Sequence, residues 1–129
     1  MFKIKGIDHL NMNIRNYEET KKFYSKYFGF KVLEEDISKM SGNTFMVIGI
    51  PGIISLCMYE SEEFNFENQA ISHFGLNVEN FEEALDLLKK DNIPLLYNSP
   101  IKWESSESIY ISDPSGHEIE LTKNFAGGF

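Results

Sequence analysis

The chain has 129 residues, a formal net charge of −8 at pH 7 and a single cysteine. This length suits one domain that buries about two-thirds of its unfolded surface. The acidic excess argues against a nucleic-acid partner, and the apolar runs are too short to span a membrane. The N-terminus has no apolar signal segment, and one cysteine excludes an internal disulfide framework. We therefore expect a cytoplasmic protein whose partner is a small molecule.

An internal repeat relates the two halves of the chain. A shift of 64 residues places residues 7–26 on residues 71–90 with seven identities in twenty positions. The identities include His9 and His73. Such self-similarity indicates two copies of one structural unit.

The first copy has the pattern of a strand, a helix and three further strands. Its opening strand alternates polar and apolar residues, with His9 on the polar face. Asn16 is a typical helix N-cap, Glu19 completes a capping box, and Gly29 suits the position after the helix. The predicted elements are a strand over Ile7–Ile14, a helix over Tyr17–Phe28, and strands over Phe30–Ile37, Thr44–Ile50 and Ile53–Tyr59.

The second copy repeats this plan after an acidic surface connection. Its opening strand carries His73 on the polar face, and Asn80 with Glu83 predicts a second capping box. Asn92 and Pro94 end the helix. The predicted strands are Ala70–Val78, Leu95–Tyr97, Ser108–Ser112 and His117–Thr122, with a long loop over Asn98–Glu107.

The last predicted strand contains a carboxylate in an unusual position. The preceding segment 113–116, Asp-Pro-Ser-Gly, has the chemistry of a turn. In the strand, Glu118 and Glu120 share one face while Ile119 and Leu121 share the other. If the sheet is covered, Glu120 is a buried charge, which needs a partner or a metal ion.

Two histidines and this carboxylate fit a metal centre. His9, His73 and Glu120 lie on the polar faces of three predicted strands, and such a triad leaves coordination positions open. Open positions are typical of catalytic metals. The alternative is structural, with two interior histidines and a glutamate at a sheet edge. We expect metal binding because the histidine recurs in the repeat.

Four segments resemble the vicinal oxygen chelate superfamily, which includes glyoxalases, bleomycin-resistance proteins, fosfomycin-resistance enzymes and extradiol dioxygenases. They are Gly6–Leu10, the helix exit Phe23–Phe30, Ile71–Phe74 and Asp113–Leu121. The resemblance implies an α+β fold: two βαβββ modules whose mixed sheets curl into a cup, with helices on the outer faces. It implies a single domain over residues 1–129. Module one would cover about 6–59, the linker 60–69 and module two about 70–123.

The resemblance also implies the composition of the site. His9, His73 and Glu120 would hold one divalent metal ion in the cup, with Zn, Ni, Mn, Fe and Co all open as its identity. Glu120, Glu118 and Tyr110 are the candidate catalytic residues, the last two as groups that move protons.

The sequence departs from each branch of the family. By alternation we place Ser55 where glyoxalases carry a fourth ligand. Fosfomycin-resistance enzymes surround the phosphonate with cations, whereas only Lys102 and Lys123 are candidates here. The chain is short for an extradiol dioxygenase. We expect a metal-dependent enzyme, as a lyase, transferase or dioxygenase. The alternative is a metal-independent binding protein of the bleomycin-resistance type, whose cationic drug would suit the acidic charge.

The remaining expectations concern the surroundings of the site and the assembly. His117 follows the turn and is expected to be exposed. Trp103 either covers the pocket as part of a lid or packs under its loop. The resemblance implies a homodimer whose metal sites are shared between subunits. The alternative is a monomer whose two modules close on each other.

Overall fold

A computed structural model gives the fold and describes residues 1, 3, 9–38, 42–63, 71–103 and 106–123. The start of the first predicted strand, most of the predicted linker and the C-terminal tail lie outside these residues. The chain divides into two compact units, which we call unit 1 (Met1–Asn65) and unit 2 (Phe66–Phe129).

Unit 1 is a four-stranded mixed sheet with one helix. Its elements are β1 (Leu10–Ile14), α1 (Tyr17–Phe28), β2 (Lys31–Ile37), β3 (Thr44–Ile50) and β4 (Ile54–Glu60). The strand order is β1-β4-β3-β2, with β1 parallel to β4 and the other neighbours antiparallel. Helix α1 contacts β3.

Unit 2 has the same plan. Its elements are β5 (His73–Asn77), α2 (Phe81–Lys90), β6 (Leu96–Lys102), β7 (Glu107–Ser112) and β8 (Glu118–Thr122). The strand order is β5-β8-β7-β6, again with the first strand parallel to the last and the others antiparallel. This repetition confirms the predicted α+β fold of two βαβββ modules.

The core of each unit follows the period of two in its strands. Ile48 pairs with Leu56 in unit 1, and Ile111 pairs with Ile119 in unit 2. All four side chains have no exposed surface. Because neighbouring residues point to opposite faces, the positions between them are free to carry polar chemistry.

The two helices differ at their N-termini. In α1 the Asn16 side chain accepts a hydrogen bond from the Glu19 backbone at 2.9 Å, and Gly29 follows the helix with a φ of 64°. The predicted N-cap and terminal glycine are therefore confirmed. In α2 the predicted capping box is wrong: the Asn80 amide donates to the Glu83 carboxylate at 3.1 Å and does not cap the backbone.

Strand β6 is longer than predicted, because part of the predicted loop pairs with β7. Its pairing with β7 shifts between Leu96 and Ile101, which leaves a bulge. Tyr97 and Asn98 adopt left-handed φ angles of 56° and 53° in this bulge, and Pro100 follows. A proline is tolerated because β6 is an edge strand. Local sequence signals of a loop therefore mark a bulge within a strand.

Neither described helix can cross a membrane: within the described ranges, none is both long enough and apolar enough.

Candidate metal centre

Strand β8 carries the two carboxylates predicted to share a face. Glu118 and Glu120 alternate with Ile119 and Leu121. The two aliphatic side chains are buried, whereas the Glu118 and Glu120 side chains keep 19% and 17% of their surface exposed. The carboxylates are thus reachable from one side while being largely withdrawn from water, which strengthens their interactions with neighbouring groups.

Glu120 is held by two hydroxyl groups from β7. Ser108 Oγ donates to Glu120 Oε1 at 2.6 Å, and Tyr110 Oη donates to the same oxygen at 2.9 Å. Tyr110 lies directly opposite Glu120 in the ladder, so the backbone pairing brings these side chains together. One carboxylate oxygen is therefore committed to hydrogen bonds from within unit 2.

The second carboxylate oxygen faces a histidine. His73 Nε2 lies 3.2 Å from Glu120 Oε2, and His73 Nδ1 lies 3.0 Å from Ser72 Oγ. A ring nitrogen that carries no proton is an acceptor, as is a carboxylate oxygen, so the contact between Nε2 and Oε2 needs either a proton on Nε2 or a cation between the two atoms. His73 Nδ1 and Glu120 Oε1 thus have hydrogen-bond partners, while His73 Nε2 and Glu120 Oε2 face each other.

Glu118 belongs to the same cluster through a tyrosine. Its Oε2 accepts a hydrogen bond from Tyr97 Oη at 2.6 Å, and its Oε1 lies 3.8 Å from His73 Nδ1. The hydrogen bond to Glu118 raises the pKa of the Tyr97 hydroxyl. The bulge in β6 therefore serves to bring a tyrosine of the edge strand to a carboxylate on β8.

Tyr110 is the central aromatic residue of this face. Its ring packs edge-on against the rings of His73 and Tyr97, at centroid distances of 5.8 and 5.4 Å. Burial, followed by the hydrogen bond to Glu120, raises its pKa to about 12. The hydroxyl therefore keeps its proton at neutral pH and acts as a hydrogen-bond donor.

The separation of His73 and Glu120 suits a transition metal. Two donor atoms at about 2.1 Å from one ion lie about 3.0 Å apart in octahedral and about 3.4 Å apart in tetrahedral geometry. The observed 3.2 Å falls between these values. Glycine at position 75 keeps the adjacent space open, since the atom nearest to a Cβ built there is Glu120 Oε2, at 3.9 Å.

This pair does not make a complete site in the described part of the chain. No group of three or more histidine, cysteine, aspartate or glutamate side chains there is arranged to hold a metal ion. His9 precedes β1 in unit 1 and is exposed. Its part in metal binding stays a prediction.

Comparison with known proteins decides the family. The model of the Glyoxalase/Bleomycin resistance protein/Dioxygenase superfamily matches residues 6–121. The chain belongs to this superfamily. The finding confirms the resemblance drawn from the sequence motifs.

Individual relatives are more distant. Metallothiol transferase FosB of Staphylococcus epidermidis is 27% identical over 127 residues, covering 92% of this chain and 82% of the relative. The crystal structure of a glyoxalase family protein from Enterococcus faecalis has a TM-score of 0.77 at 25% identity, covering 92% and 98% of the two chains. Fosfomycin resistance protein FosX of Listeria monocytogenes, complexed with Mn(II) and sulfate, has a TM-score of 0.73 at 17% identity, covering 96% of each.

The pairing of the first and last strands in each unit corrects the placement of Ser55. Leu10 pairs with Leu56 in unit 1, and its repeat equivalent Phe74 pairs with Ile119 in unit 2. Residue 57 is therefore the structural equivalent of Glu120, and residue 55 that of Glu118. The position predicted to hold Ser55 holds Cys57, because the repeat shift is 64 in the first strands and 63 in the last.

His117 is also placed differently from the prediction. It is 7% exposed, and its backbone N–H donates to Asp113 Oδ1 at 2.8 Å. The same oxygen accepts from the Ser115 backbone at 2.9 Å. The parity of the strand explains the burial, since residue 117 shares a face with Ile119 and Leu121.

Sequence reasoning matched Ser108 and Tyr110 to the Ser-x-Tyr of fosfomycin-resistance enzymes without placing Ser108 at Glu120. It missed Tyr97 and left the role of Trp103 open. Trp103 Nε1 donates to Ser108 Oγ at 3.0 Å, which connects the indole to the Glu120 network. The position of Ser108 could have been found from the parity of β7, because residues 108 and 110 share one face of the strand and residue 110 lies opposite Glu120. Tyr97 could not, because its position depends on the bulge.

Proposed function

We propose that this protein is a metal-dependent enzyme of the superfamily that chelates a small oxygenated substrate on the polar face of unit 2. The observation that carries the proposal is the convergence of His73 Nε2 and Glu120 Oε2 at 3.2 Å. The other polar atoms of these side chains, His73 Nδ1 and Glu120 Oε1, have hydrogen-bond partners, and such partners orient metal ligands in proteins. The Mn(II) in the structure of FosX supports a divalent ion as the cofactor.

The proposed ligands are His73, Glu120 and His9. A divalent ion bound there would supply Lewis-acid stabilisation of negative charge on a substrate oxygen. His9 enters on the repeat, since it is the equivalent of His73. Three protein ligands would leave positions open for the substrate.

The neighbouring residues have separate proposed roles. Tyr110 remains protonated, because its pKa is raised to about 12, and would donate a hydrogen bond throughout. Glu118 is the candidate base, since its Oε2 accepts the hydrogen bond from Tyr97 while its Oε1 lies on the side of His73, at 3.8 Å from Nδ1. A general base must lie within hydrogen-bond reach of the proton it takes.

The charges of unit 2 do not favour a phosphonate substrate. Lys123 pairs with Glu82 of α2, and its ammonium lies 5.9 Å from the centroid of the Phe81 ring. Lys102 lies exposed at the end of β6. The relation to FosB supports a transferase, and the pattern of charges supports a substrate other than fosfomycin.

Metal content of the purified protein tests the proposal. Wild type should hold one divalent ion per chain, and His9→Ala, His73→Ala and Glu120→Gln should each lose it. Glu118→Gln is the matched control, because it changes a carboxylate on the same face while leaving the proposed ligands intact. Full metal content in all three ligand variants would refute the site.

The second candidate is a binding protein of the bleomycin-resistance type, which the family name and the acidic charge of −8 support. A protein purified without metal, that gains none from excess Zn²⁺, Mn²⁺ or Ni²⁺ and still binds a cationic antibiotic, would favour it. Turnover of the hemithioacetal of glutathione and methylglyoxal would instead favour a glyoxalase.

A homodimer with composite sites is the proposed assembly, on the strength of the family resemblance. A mixture of His9→Ala and Glu120→Gln chains tests it. If ligands for one ion come from two subunits, the mixed dimer regains one intact site and part of its metal. A sedimentation experiment that shows only monomer would refute this assembly.

A further inference from the structure

A chain of hydrogen bonds runs from the surface of unit 2 to the proposed metal ligand Glu120. Trp103 Nε1 donates to Ser108 Oγ at 3.0 Å, and Ser108 Oγ lies 2.6 Å from Glu120 Oε1. Trp103 is 53% exposed, whereas Ser108 is 1% exposed. The chain thus crosses from solvent to the largely buried carboxylate through one serine.

The chemistry of the three groups fixes the direction of every proton in this chain. An indole N–H can only donate, so Ser108 Oγ is the acceptor of the first bond. An ionised carboxylate can only accept, so the single Ser108 proton points at Glu120 Oε1. A hydroxyl that accepts one bond while donating another is polarised toward donation. The Ser108 hydroxyl therefore accepts from Trp103 and donates to Glu120.

This arrangement decides which oxygen of Glu120 is left for a ligand. Oε1 accepts hydrogen bonds from both Ser108 and Tyr110, while Oε2 faces His73. A carboxylate with free rotation about its last bond would exchange its two oxygens. Two donors aimed at one oxygen hold the plane of the group and keep the other oxygen directed at the histidine.

We propose that Ser108 and Trp103 are positioning residues that orient Glu120 so that Oε2 is presented for metal binding. The inference rests on the proposed function, because it requires Glu120 to be a ligand. Ser108 acts directly on the carboxylate, and Trp103 acts through Ser108. Neither residue is a proposed ligand or a catalytic residue.

The equivalent positions of unit 1 show that the fold does not require the hydrogen bonds from Trp103 through Ser108 to Glu120. The ladder makes Phe45 the equivalent of Ser108 and Val47 the equivalent of Tyr110. Phe45 stacks on Tyr59 at a centroid distance of 5.4 Å, so an aromatic contact fills the place of the hydroxyl. The fold therefore does not require a buried serine at position 108, and we attribute the serine to its hydrogen bond with Glu120.

Trp103 is the single tryptophan of the protein, so its fluorescence reports directly on these hydrogen bonds. Zn²⁺ is titrated into metal-free protein, with affinity measured by calorimetry and the emission of Trp103 followed in parallel. We expect Ser108→Ala to weaken Zn²⁺ binding by about 10- to 100-fold, the usual loss when a partner of a metal ligand is removed. Zn²⁺ should shift the Trp103 emission in wild type and leave it unchanged in Ser108→Ala.

Two variants separate orientation from packing. Ser108→Thr keeps the hydroxyl and should retain the wild-type affinity within about threefold, well inside the loss expected for an outer partner. Ser112→Ala removes a serine from the same face of β7, opposite Glu118 rather than Glu120, and should also stay within about threefold. Circular dichroism and a thermal melt establish that each variant is folded.

The outcomes distinguish this proposal from the proposed function. Wild type that binds no Zn²⁺ would overturn the metal centre and the positioning role with it. Wild type that binds Zn²⁺ with the same affinity as Ser108→Ala would overturn the positioning role and leave the metal centre standing. If Ser108→Ala does not fold, Trp103→Phe replaces it. This variant removes the indole N–H that donates to Ser108. An unchanged affinity for Zn²⁺ in this variant refutes the positioning role.

Discussion

Units 1 and 2 have the same topology but differ in the residues on the polar faces of their sheets. Their apolar faces carry buried residues at equivalent positions, among them Ile48 and Ile111, which are both fully buried. On the other face, unit 2 places Glu118 and Glu120 where unit 1 has Ser55 and Cys57. In the last strands the core face is therefore apolar in both units, whereas the polar face carries the two carboxylates in unit 2 alone.

The edge strands carry a second difference. Between the residues paired with Tyr110 and Ser108, β6 runs from Leu96 to Ile101. Between the equivalent positions of unit 1, β2 runs only from Glu34 to Asp36. The three additional residues form the bulge, which brings Tyr97 to Glu118. The insertion is thus located where it changes the polar face and leaves the core intact.

The largest effect that we predict tests the equivalence of the two cores. Ile48→Ala and Ile111→Ala should each lower the free energy of unfolding by about 3–4 kcal/mol, because each empties a fully buried site. Urea denaturation measures both values. Ile53→Ala is the control, since Ile53 is 77% exposed and its loss should cost no more than about 0.5 kcal/mol. A difference between the two core variants above about 2 kcal/mol would show that the cores are not equivalent.

Much of this shared architecture could be predicted from the sequence, because it depends on local patterns. The bounds of α1 were predicted from Asn16 and Gly29, and the predicted strand Thr44–Ile50 coincides with β3. Glu120 was singled out because it lies between aliphatic neighbours in a predicted strand, and His73 because it recurs as His9 in the repeat.

The rest depended on pairing between strands, which a single sequence does not show. The ladder makes Cys57 the equivalent of Glu120, and alternation alone cannot distinguish it from Ser55 on the same face. The bulge in β6 was predicted as a loop because Pro100 and two left-handed residues hide its pairing with β7. The network around Glu118 and Glu120 inherits both difficulties, since it joins side chains from four strands, β5 to β8.

The second prediction concerns a side-chain hydrogen bond that satisfies a backbone N–H of β7 at the bulge. Ser99 Oγ accepts from the backbone N–H of Tyr110 at 3.1 Å, and Ser99 is 7% exposed. Ser99→Ala should cost about 2 kcal/mol, because it leaves a buried N–H without an acceptor. Urea denaturation of Ser99→Ala beside Ser99→Thr, which keeps the oxygen, provides the measurement. Equal stability of the two variants would mean that the hydroxyl does not serve the ladder.

The third prediction distinguishes the two assignments of the glyoxalase-type fourth ligand. If Cys57 is the equivalent of Glu120, Cys57→Glu should raise the affinity for Mn²⁺ by about tenfold, since a further carboxylate adds a charged oxygen donor. Ser55→Glu is the matched control and should leave the affinity unchanged. Calorimetric titration measures both. A gain in Ser55→Glu without one in Cys57→Glu would support the assignment made from alternation.

The smallest predicted effect tests the backbone of the bulge. Asn98 has a φ of 53°, a left-handed conformation in which Asn is tolerated better than most residues and Gly is tolerated best. Asn98→Ala should lower the free energy of unfolding by about 1 kcal/mol, because its Cβ approaches the following carbonyl oxygen without a compensating hydrogen bond. Asn98→Gly should stay within about 0.5 kcal/mol of wild type, since relief of this contact offsets the greater freedom of the unfolded chain.

The difference between these two variants isolates the backbone angle, because both remove the amide side chain. Glu34→Ala in β2 provides the comparison from unit 1, where the described residues between Lys31 and Ile37 have no positive φ. It should change stability by less than about 0.5 kcal/mol, as expected for an exposed position. If Asn98→Ala is as stable as Asn98→Gly, the left-handed turn is not maintained in solution. Tyr97 would then lose the conformation that brings it to Glu118, and the two edge strands would be more alike than the structure indicates.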